Sequence, residues 1–458
     1  MLMVTSRVAP IGNACPLTDV SIKDSLPPGN NDGQANESLP PDTSPYSLFG
    51  MGWLRSERAR RWVYGVLAVQ VAAIVVFAIV YRPFDLSIYL WGGNAVSHGL
   101  HLYAVQAKAN WFTYPPFAAA VFTPLTFLPP MFVGLVWELA TVAAFAWACV
   151  LALKLAGYQP SRPAIGALTA AGLFLEPVYH TLFLGQVNVF LVALVLNDVH
   201  RAANGRWAGI GTGLAAAIKL TPAIFIALFL LTRRTKAAVI AIATFAAGAG
   251  VGFLADPAAS KLYWSKLFYD TTRVSATYIS NQSPYAALTR VAGGTSHVGA
   301  WYLVIAGVLA VVGLATAATL ARRNDWLAAF AVTGITSLLV SPISWTHHWV
   351  WALPALIVLM RNPSAGVRIA TAVTYLLFVT APMWWTPWTG HVAQYGFHGL
   401  TTLVANSFLI AGVAFLAYMA VQTFRPGPVD LYSGMRMPTL PDMPNVPADR
   451  LLGAGRPG

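Results

Sequence analysis

The chain carries few groups able to move a proton or hold an anion, and where they stand is informative. Between its polar ends, the carboxylates away from basic stretches are Asp85, Glu138, Glu176, Asp256 and Asp270, with Asp198 near a basic flank. Asp85 follows an apolar run in Arg82-Pro83-Phe84-Asp85. At the edge of an apolar phase a carboxylate is partly desolvated, its pKa rises, and it becomes a better general base. An ordinary interfacial aspartate paired with Arg82 fits the same position. Glu138 and Glu176 fall inside apolar runs, where an ionised group costs roughly 3 kcal/mol and needs a reason to be there. Lys219 stands in Ile218-Lys219-Leu220-Thr221-Pro222, where the proline interrupts a helix and frees backbone groups beside the ammonium. That suits a lipid phosphate; a lysine snorkelling to water fits as well.

The densest polar cluster within the apolar part is Ser341-Pro342-Ile343-Ser344-Trp345-Thr346-His347-His348-Trp349. Adjacent histidines on a regular helix do not face one metal ion, so His347 and His348 suggest no zinc site. Imidazole donors beside Trp345 and Trp349 suit a sugar and its phosphate. An interfacial aromatic belt would account for the tryptophans but not for the histidine pair. Tyr114 in Phe112-Thr113-Tyr114-Pro115-Pro116-Phe117, with Gln186 and Asn188 in Gly185-Gln186-Val187-Asn188, adds hydroxyl and amide groups at two turns.

The elements that must position these groups are apolar. Of the 458 residues 57% are hydrophobic and 10% charged, whereas a soluble domain carries about 25% charged residues. Such a chain cannot cover a water-facing surface. Its net charge of +12 comes as short basic clusters between apolar runs, a membrane-orientation pattern rather than a nucleic-acid surface. Apolar segments fall at 62–81, 131–153, 164–183, 187–199, 207–219, 221–232, 237–255, 299–321, 326–342, 349–360, 366–386 and 400–424. The expected fold is therefore an all-α, polytopic transmembrane helical bundle of about twelve spans. Segments 187–199, 207–232 and 326–360 fall short of the ~20 residues a full span needs, which predicts broken or re-entrant helices. Placing Arg58, Arg60 and Arg61 in the cytoplasm puts most Lys and Arg on that side, both termini included. Two long loops, 82–130 and 256–298, then lie outside with the histidine pair, and irregular chain concentrated on one face marks that face as the working one. Residues 1–55 and 425–458 read as disordered cytoplasmic tails flanking one domain, 56–424. Cys15 and Cys149 form no disulfide or metal framework, and no Walker, Gly-x-Ser-x-Gly or His-Glu-x-x-His sequence occurs.

Six stretches, in order, resemble glycosyltransferase family 87, membrane transferases of the GT-C type that use polyprenyl-phosphate sugars: Phe84-Asp85-Leu86-Ser87-Ile88-Tyr89, Phe112–Pro116, Leu175-Glu176-Pro177, Gly185–Asn188, Lys219–Pro222 and Ser341–Trp349. The resemblance implies an α-mannosyltransferase that moves mannose, with inversion, from polyprenyl-phosphate-mannose to a glycolipid on the outer face of the plasma membrane. Among family members the chain looks most like the α-1,2-mannosyltransferases of phosphatidylinositol mannosides. A lipomannan-branching enzyme and an arabinofuranosyltransferase of the same family are the near alternatives. A lipid or sugar transporter is the alternative of another class, disfavoured because no inverted internal repeat is visible. Asp85 matches the family's catalytic aspartate. The expected donor-phosphate contacts are Lys219, His348 and His347, and the expected substrate contacts are Tyr114, Glu176, Gln186, Asn188 and Trp345. No cofactor and no metal site are expected. The partners are the lipid-linked donor, the glycolipid acceptor and membrane lipids, with no nucleic acid.

Overall fold

The computed structural model describes residues 51–81, 83–106, 110–295, 298–386, 395 and 397–425. Arg82 and nearly all of the two expected tails lie outside the described residues. Among the described residues the regular structure is helical, apart from one isolated bridge between Asn281 and Trp345. The first half contains α1 (Glu57–Val80), α2 (Phe84–Ser97), α3 (Pro116–Phe122), α4 (Pro130–Leu155), α5 (Arg162–Leu173), α6 (Glu176–Leu184), α7 (Asn188–Ala203), α8 (Ile210–Ile218) and α9 (Ile224–Leu231). The second contains α10 (Thr235–Ala255), α11 (Pro257–Ser265), α12 (Pro284–Ala292), α13 (Gly299–Arg322), α14 (Trp326–Val340), α15 (Ala352–Met360), α16 (Ala365–Thr380), α17 (Leu400–Ala405) and α18 (Ser407–Phe424).

The chain forms a membrane helical bundle. Five helices (α1, α4, α10, α13 and α18) are long and apolar enough to cross a bilayer, and α5 with α6 makes a sixth if that pair, bent by 75°, is one span. Each expected apolar segment contains helix, but the others are short or interrupted, so twelve full crossings do not follow from helix length. The outward faces of the long helices are apolar: Val80 is 80% and Trp301 70% exposed, a distribution that suits lipid and not water. By contrast α14 is buried on all sides and forms the central pillar. Short α8 fits between its neighbours because its residues are small; a Cβ on Gly213 would meet the Ala241 carbonyl oxygen of α10 at 2.5 Å. Asp198 closes the start of α8 by accepting from the Thr212 N–H at 2.7 Å.

The loops expected outside are largely helical themselves, holding α2, α3, α11 and α12. Breaks fall where the backbone must stop. Lys219 ends α8 in an extended conformation, and Pro222 lies in the 3-10 turn Thr221–Ala223 that follows. Helix α14 stops at Val340 before Ser341-Pro342, and the chain resumes as the 3-10 turn Thr346–Trp351. Segment 187–199, expected to be broken, is instead part of the continuous helix α7; the break falls just before it. There Gly185 takes a left-handed conformation (φ 70°), with its N–H bonded to Leu182 O at 3.0 Å and that of Gln186 to Thr181 O at 2.8 Å.

A Cβ on Gly185 would also meet Pro83 Cβ at 2.7 Å and Leu86 Cβ at 2.8 Å. Only glycine permits both the backbone turn and the close approach of α2. Gly185→Ala is therefore expected to destabilise the fold by about 1–3 kcal/mol, read as a lower midpoint of thermal unfolding in detergent; an unchanged midpoint would show that the turn tolerates a side chain.

Candidate active site

The helix breaks and the two long loops, 82–130 and 256–298, converge on one cavity of about 670 Å³. Its wall includes Asp85, Tyr114, His180, Gln186, Lys219, Trp345, His347 and His348, brought together from five separate stretches of chain.

Asp85 sits in the first turn of α2, outside the spanning helices, and keeps part of its surface open to the cavity. Its Oδ2 accepts a short hydrogen bond from Gln186 Nε2. The Gln186 amide is oriented from behind: its Oε1 accepts from the Tyr89 hydroxyl at 2.6 Å and the Tyr114 hydroxyl at 3.1 Å. Two phenol donors on the oxygen leave the NH₂ group to face the carboxylate, which can only accept when ionised. Burial pushes Asp85 up to about 6, against the opposing effects of the Gln186 hydrogen bond and of the nearby His180 and Lys219 side chains. The result is a carboxylate ionised at neutral pH yet more basic than a solvated one.

A second wall is cationic and imidazole-rich. Lys219 Nζ donates to Asn188 Oδ1 at 2.9 Å and lies 2.8 Å from His348 Nε2. Because the ammonium has only hydrogens to offer, that imidazole nitrogen is the acceptor. Asn188 is fixed in turn by donating Nδ2 to the His347 carbonyl at 2.9 Å. His347 is 6% exposed, and neither of its ring nitrogens has a hydrogen-bond partner. Leaving a buried polar group unsatisfied costs about 1–3 kcal/mol. A ring that lines a cavity in this state is matched to a polar ligand.

The turn carrying these histidines is held by the second long loop. Asn281 Oδ1 accepts from the Ser344 N–H at 2.9 Å, Gln282 N–H donates to the Ser344 carbonyl at 2.8 Å, and the Ser283 hydroxyl donates to the Pro342 carbonyl at 2.7 Å. Arg290, almost fully buried, ties that loop down by donating to the Asn281 carbonyl at 3.0 Å and to Asn406 Oδ1.

Each expected site residue is thus in or directly behind the cavity wall. Glu176 and Asn188, expected to touch substrate, stand one layer back: Glu176 accepts from His180 Nδ1 at 2.8 Å and Trp384 Nε1 at 3.0 Å, and Asn188 holds Lys219. The alternative for Asp85, pairing with Arg82, involves a residue outside those described. His180 was not anticipated, although its place four residues after Glu176 puts the two on one helix face. Asp256 and Asp270 are engaged locally, Asp256 capping α11 through the Ala259 N–H and Asp270 accepting from Thr272. Glu138 lies within α4, fully buried, with neither carboxyl oxygen hydrogen-bonded.

Comparison with known proteins gives a concordant result. The model of glycosyltransferase family 87 matches residues 112–342, a range that holds Tyr114, Glu176, Gln186, Asn188 and Lys219 but neither Asp85 nor the histidine pair. The chain is 34% identical over 355 residues to a polyprenol-phosphate-mannose-dependent alpha-(1-2)-phosphatidylinositol pentamannoside mannosyltransferase of Mycolicibacterium smegmatis, covering 72% of this chain and 85% of the relative. It is 31% identical over 348 residues to a polyprenol-phosphate-mannose-dependent alpha-(1-2)-phosphatidylinositol mannoside mannosyltransferase of Mycobacterium tuberculosis, covering 71% and 81% of the two chains. No solved structure matches the chain.

The raised pKa of Asp85 has a thermodynamic consequence with a definite sign. Its folded value, about 6, lies above the ordinary 3.8. Its contribution is therefore most favourable at low pH and is lost as pH rises through about 6. At pH 7 the ionised side chain destabilises the fold. Asp85→Asn, which retains an oxygen to accept from Gln186, should unfold at a higher temperature than the wild-type protein at pH 7, and the gain should shrink at pH 4. A lower midpoint at pH 7 would contradict this electrostatic description.

Proposed function

The chain belongs to glycosyltransferase family 87, and from that membership and the cavity we propose that it transfers mannose from polyprenyl-phosphate-mannose to a phosphatidylinositol mannoside through an α-1,2 linkage. The observation that carries this reading is a single basic carboxylate facing a wall of cationic and imidazole donors. In a lipid-linked donor the leaving group is already a phosphate, so protonation by a general acid is dispensable. One base is enough, unlike the paired carboxylates of most glycosidases. Asp85 takes the proton of an acceptor hydroxyl as its oxygen attacks the anomeric carbon. The bond from that carbon to the phosphate oxygen breaks, its electron pair leaves with the polyprenyl phosphate, and the attack on the opposite face turns a β-linked donor into an α-linked product. Lys219 and His348 meet the charge gathering on the departing phosphate, and His347 gains a partner for its unsatisfied ring. Tyr114 and Trp345 line the space for the sugar.

In the same reading the bundle is of GT-C type, with about twelve crossings once its short and broken helices are counted. The cavity faces the outer side of the plasma membrane and both termini are cytoplasmic, as supported by the bias of Lys and Arg toward the loops opposite the cavity.

The test is transfer of labelled mannose from polyprenyl-phosphate-mannose to a phosphatidylinositol mannoside in detergent, where transport has no meaning. Wild-type protein is expected to form the α-linked product. Asp85→Asn should lose about 10²–10⁴-fold in kcat, the range usual for loss of a general base, while donor binding stays within a few-fold. Near-normal turnover by Asp85→Asn would end the base assignment, and no transfer by the wild type would end the donor and acceptor assignment.

A further inference from the structure

The cavity has a second cationic feature that the reaction described above does not use. Arg273 belongs to the second outer loop and lines the cavity beside the exposed residues Gln106 and Tyr269, whereas Lys219 lies between buried helices. Its guanidinium is built in from two sides. Nη2 donates to the Tyr103 carbonyl at 2.6 Å. The plane lies over the Trp111 ring at 4.2 Å and near the Tyr103 ring at 5.8 Å. Tyr103 is itself fixed, buried and donating its hydroxyl to the Tyr114 carbonyl at 2.7 Å. Asp270 acts on Arg273 only as a nearby charge, without a salt-bridge contact, and spends Oδ1 on the Thr272 N–H and hydroxyl. The guanidinium thus arrives at the cavity rim with its orientation fixed by one bond and an aromatic face, and with Nε and Nη1 still to satisfy. A planar fork of free donors beside an aromatic ring is matched to a phosphate ester carried on a sugar or polyol.

We infer that Arg273, backed by Trp111 and Tyr103, is the subsite for the phosphodiester of the lipid-anchored acceptor; the inference rests on the function proposed above. Depth supports this choice over the donor phosphate. The acceptor hydroxyl has to reach Asp85 while its diacylglycerol remains in the membrane, so its phosphodiester stays near the membrane interface and not on the cavity floor. The rim around Arg273 has the character of such an interface: Phe268 is 49% and Tyr269 62% exposed, large amphipathic rings of the kind that seat at headgroup level. The donor phosphate, which must sit next to its anomeric carbon, is served by Lys219 and His348 in the interior.

The experiment compares two acceptors, a phosphatidylinositol dimannoside and a dimannosyl diacylglycerol with no phosphate, in wild-type protein and in Arg273→Gln. Loss of a charge-assisted pair should lower the ratio of kcat/KM for the phosphorylated over the neutral acceptor about tenfold, through KM. The KM for polyprenyl-phosphate-mannose is expected to hold, which also reports an intact fold. An unchanged ratio overturns the subsite, and so does a rise confined to the donor KM, which would assign Arg273 to the donor phosphate. Equilibrium binding of the two glycolipids to the same two proteins decides the matter independently of turnover. If the wild type transfers to neither acceptor, the transferase reading fails, and the subsite stands or falls on whether Arg273→Gln weakens binding of the phosphorylated lipid alone.

Discussion

A carboxylate that works as a base in a desolvated cavity has to be kept ionised by something that is not a full countercharge, because a close ion pair would lower its basicity. In the mechanism proposed for Asp85 the Gln186 amide does so. Its short hydrogen bond to Asp85 joins the first turn of α2 to the turn between α6 and α7, and much of the surrounding architecture serves that contact. Gly185 allows α2 to approach, Tyr89 and Tyr114 set which end of the amide faces the carboxylate, and Lys219 supplies positive charge without salt-bridging Asp85. Asp85 therefore sits between the solvated and the fully buried extremes, at about 6.

The opposite wall is made of interrupted helix. A continuous helix satisfies its own backbone and has little to offer a ligand, whereas a broken one exposes amides, carbonyls and side chains at membrane depth, provided the protein covers them. The stop after α8 delivers Lys219, and the stop after α14 delivers His347 and His348. The turn after α14 is held by Asn281, Gln282 and Ser283 of the second long loop, and that loop is tied down by buried Arg290. The second loop therefore has two roles, bracing the turn that carries His347 and His348 and lining the cavity.

Much of this was readable in the sequence, and what was missed has physical causes. The apolar segments and the chemistry-bearing residues stand out because ionisable groups are so rare against an apolar background that Asp85, Lys219 and the histidine pair each demand a reason. Span number was harder. Apolar runs such as 207–219 and 349–360 report burial in something apolar, and protein interior and lipid give the same signal, so short helices packed inside the bundle resemble crossings. The break between α5 and α6 is hard to read because the run 164–183 is mostly apolar on both sides of it; Glu176-Pro177 is the local signal. The family resemblance offers Glu176 and Asn188 as substrate contacts, but their hydrogen-bond partners in the fold, His180 and Lys219, depend on which face of α6 and α7 meets the turn after α14. That is a tertiary fact without a local signature. His180 itself was available from its spacing to Glu176.

The central claim is that Asp85 is the proton acceptor and that Gln186 sets its basicity. The pH dependence of kcat/KM for the acceptor tests it most directly, measured in wild-type protein and in Gln186→Leu. The base must be ionised, so wild-type activity should fall with unit slope as pH drops below about 6. The Gln186 bond favours the ionised form, and its removal should move that acid limb to higher pH. A limb that stays in place in Gln186→Leu, or a wild-type profile flat from pH 5 to pH 8, would contradict the account.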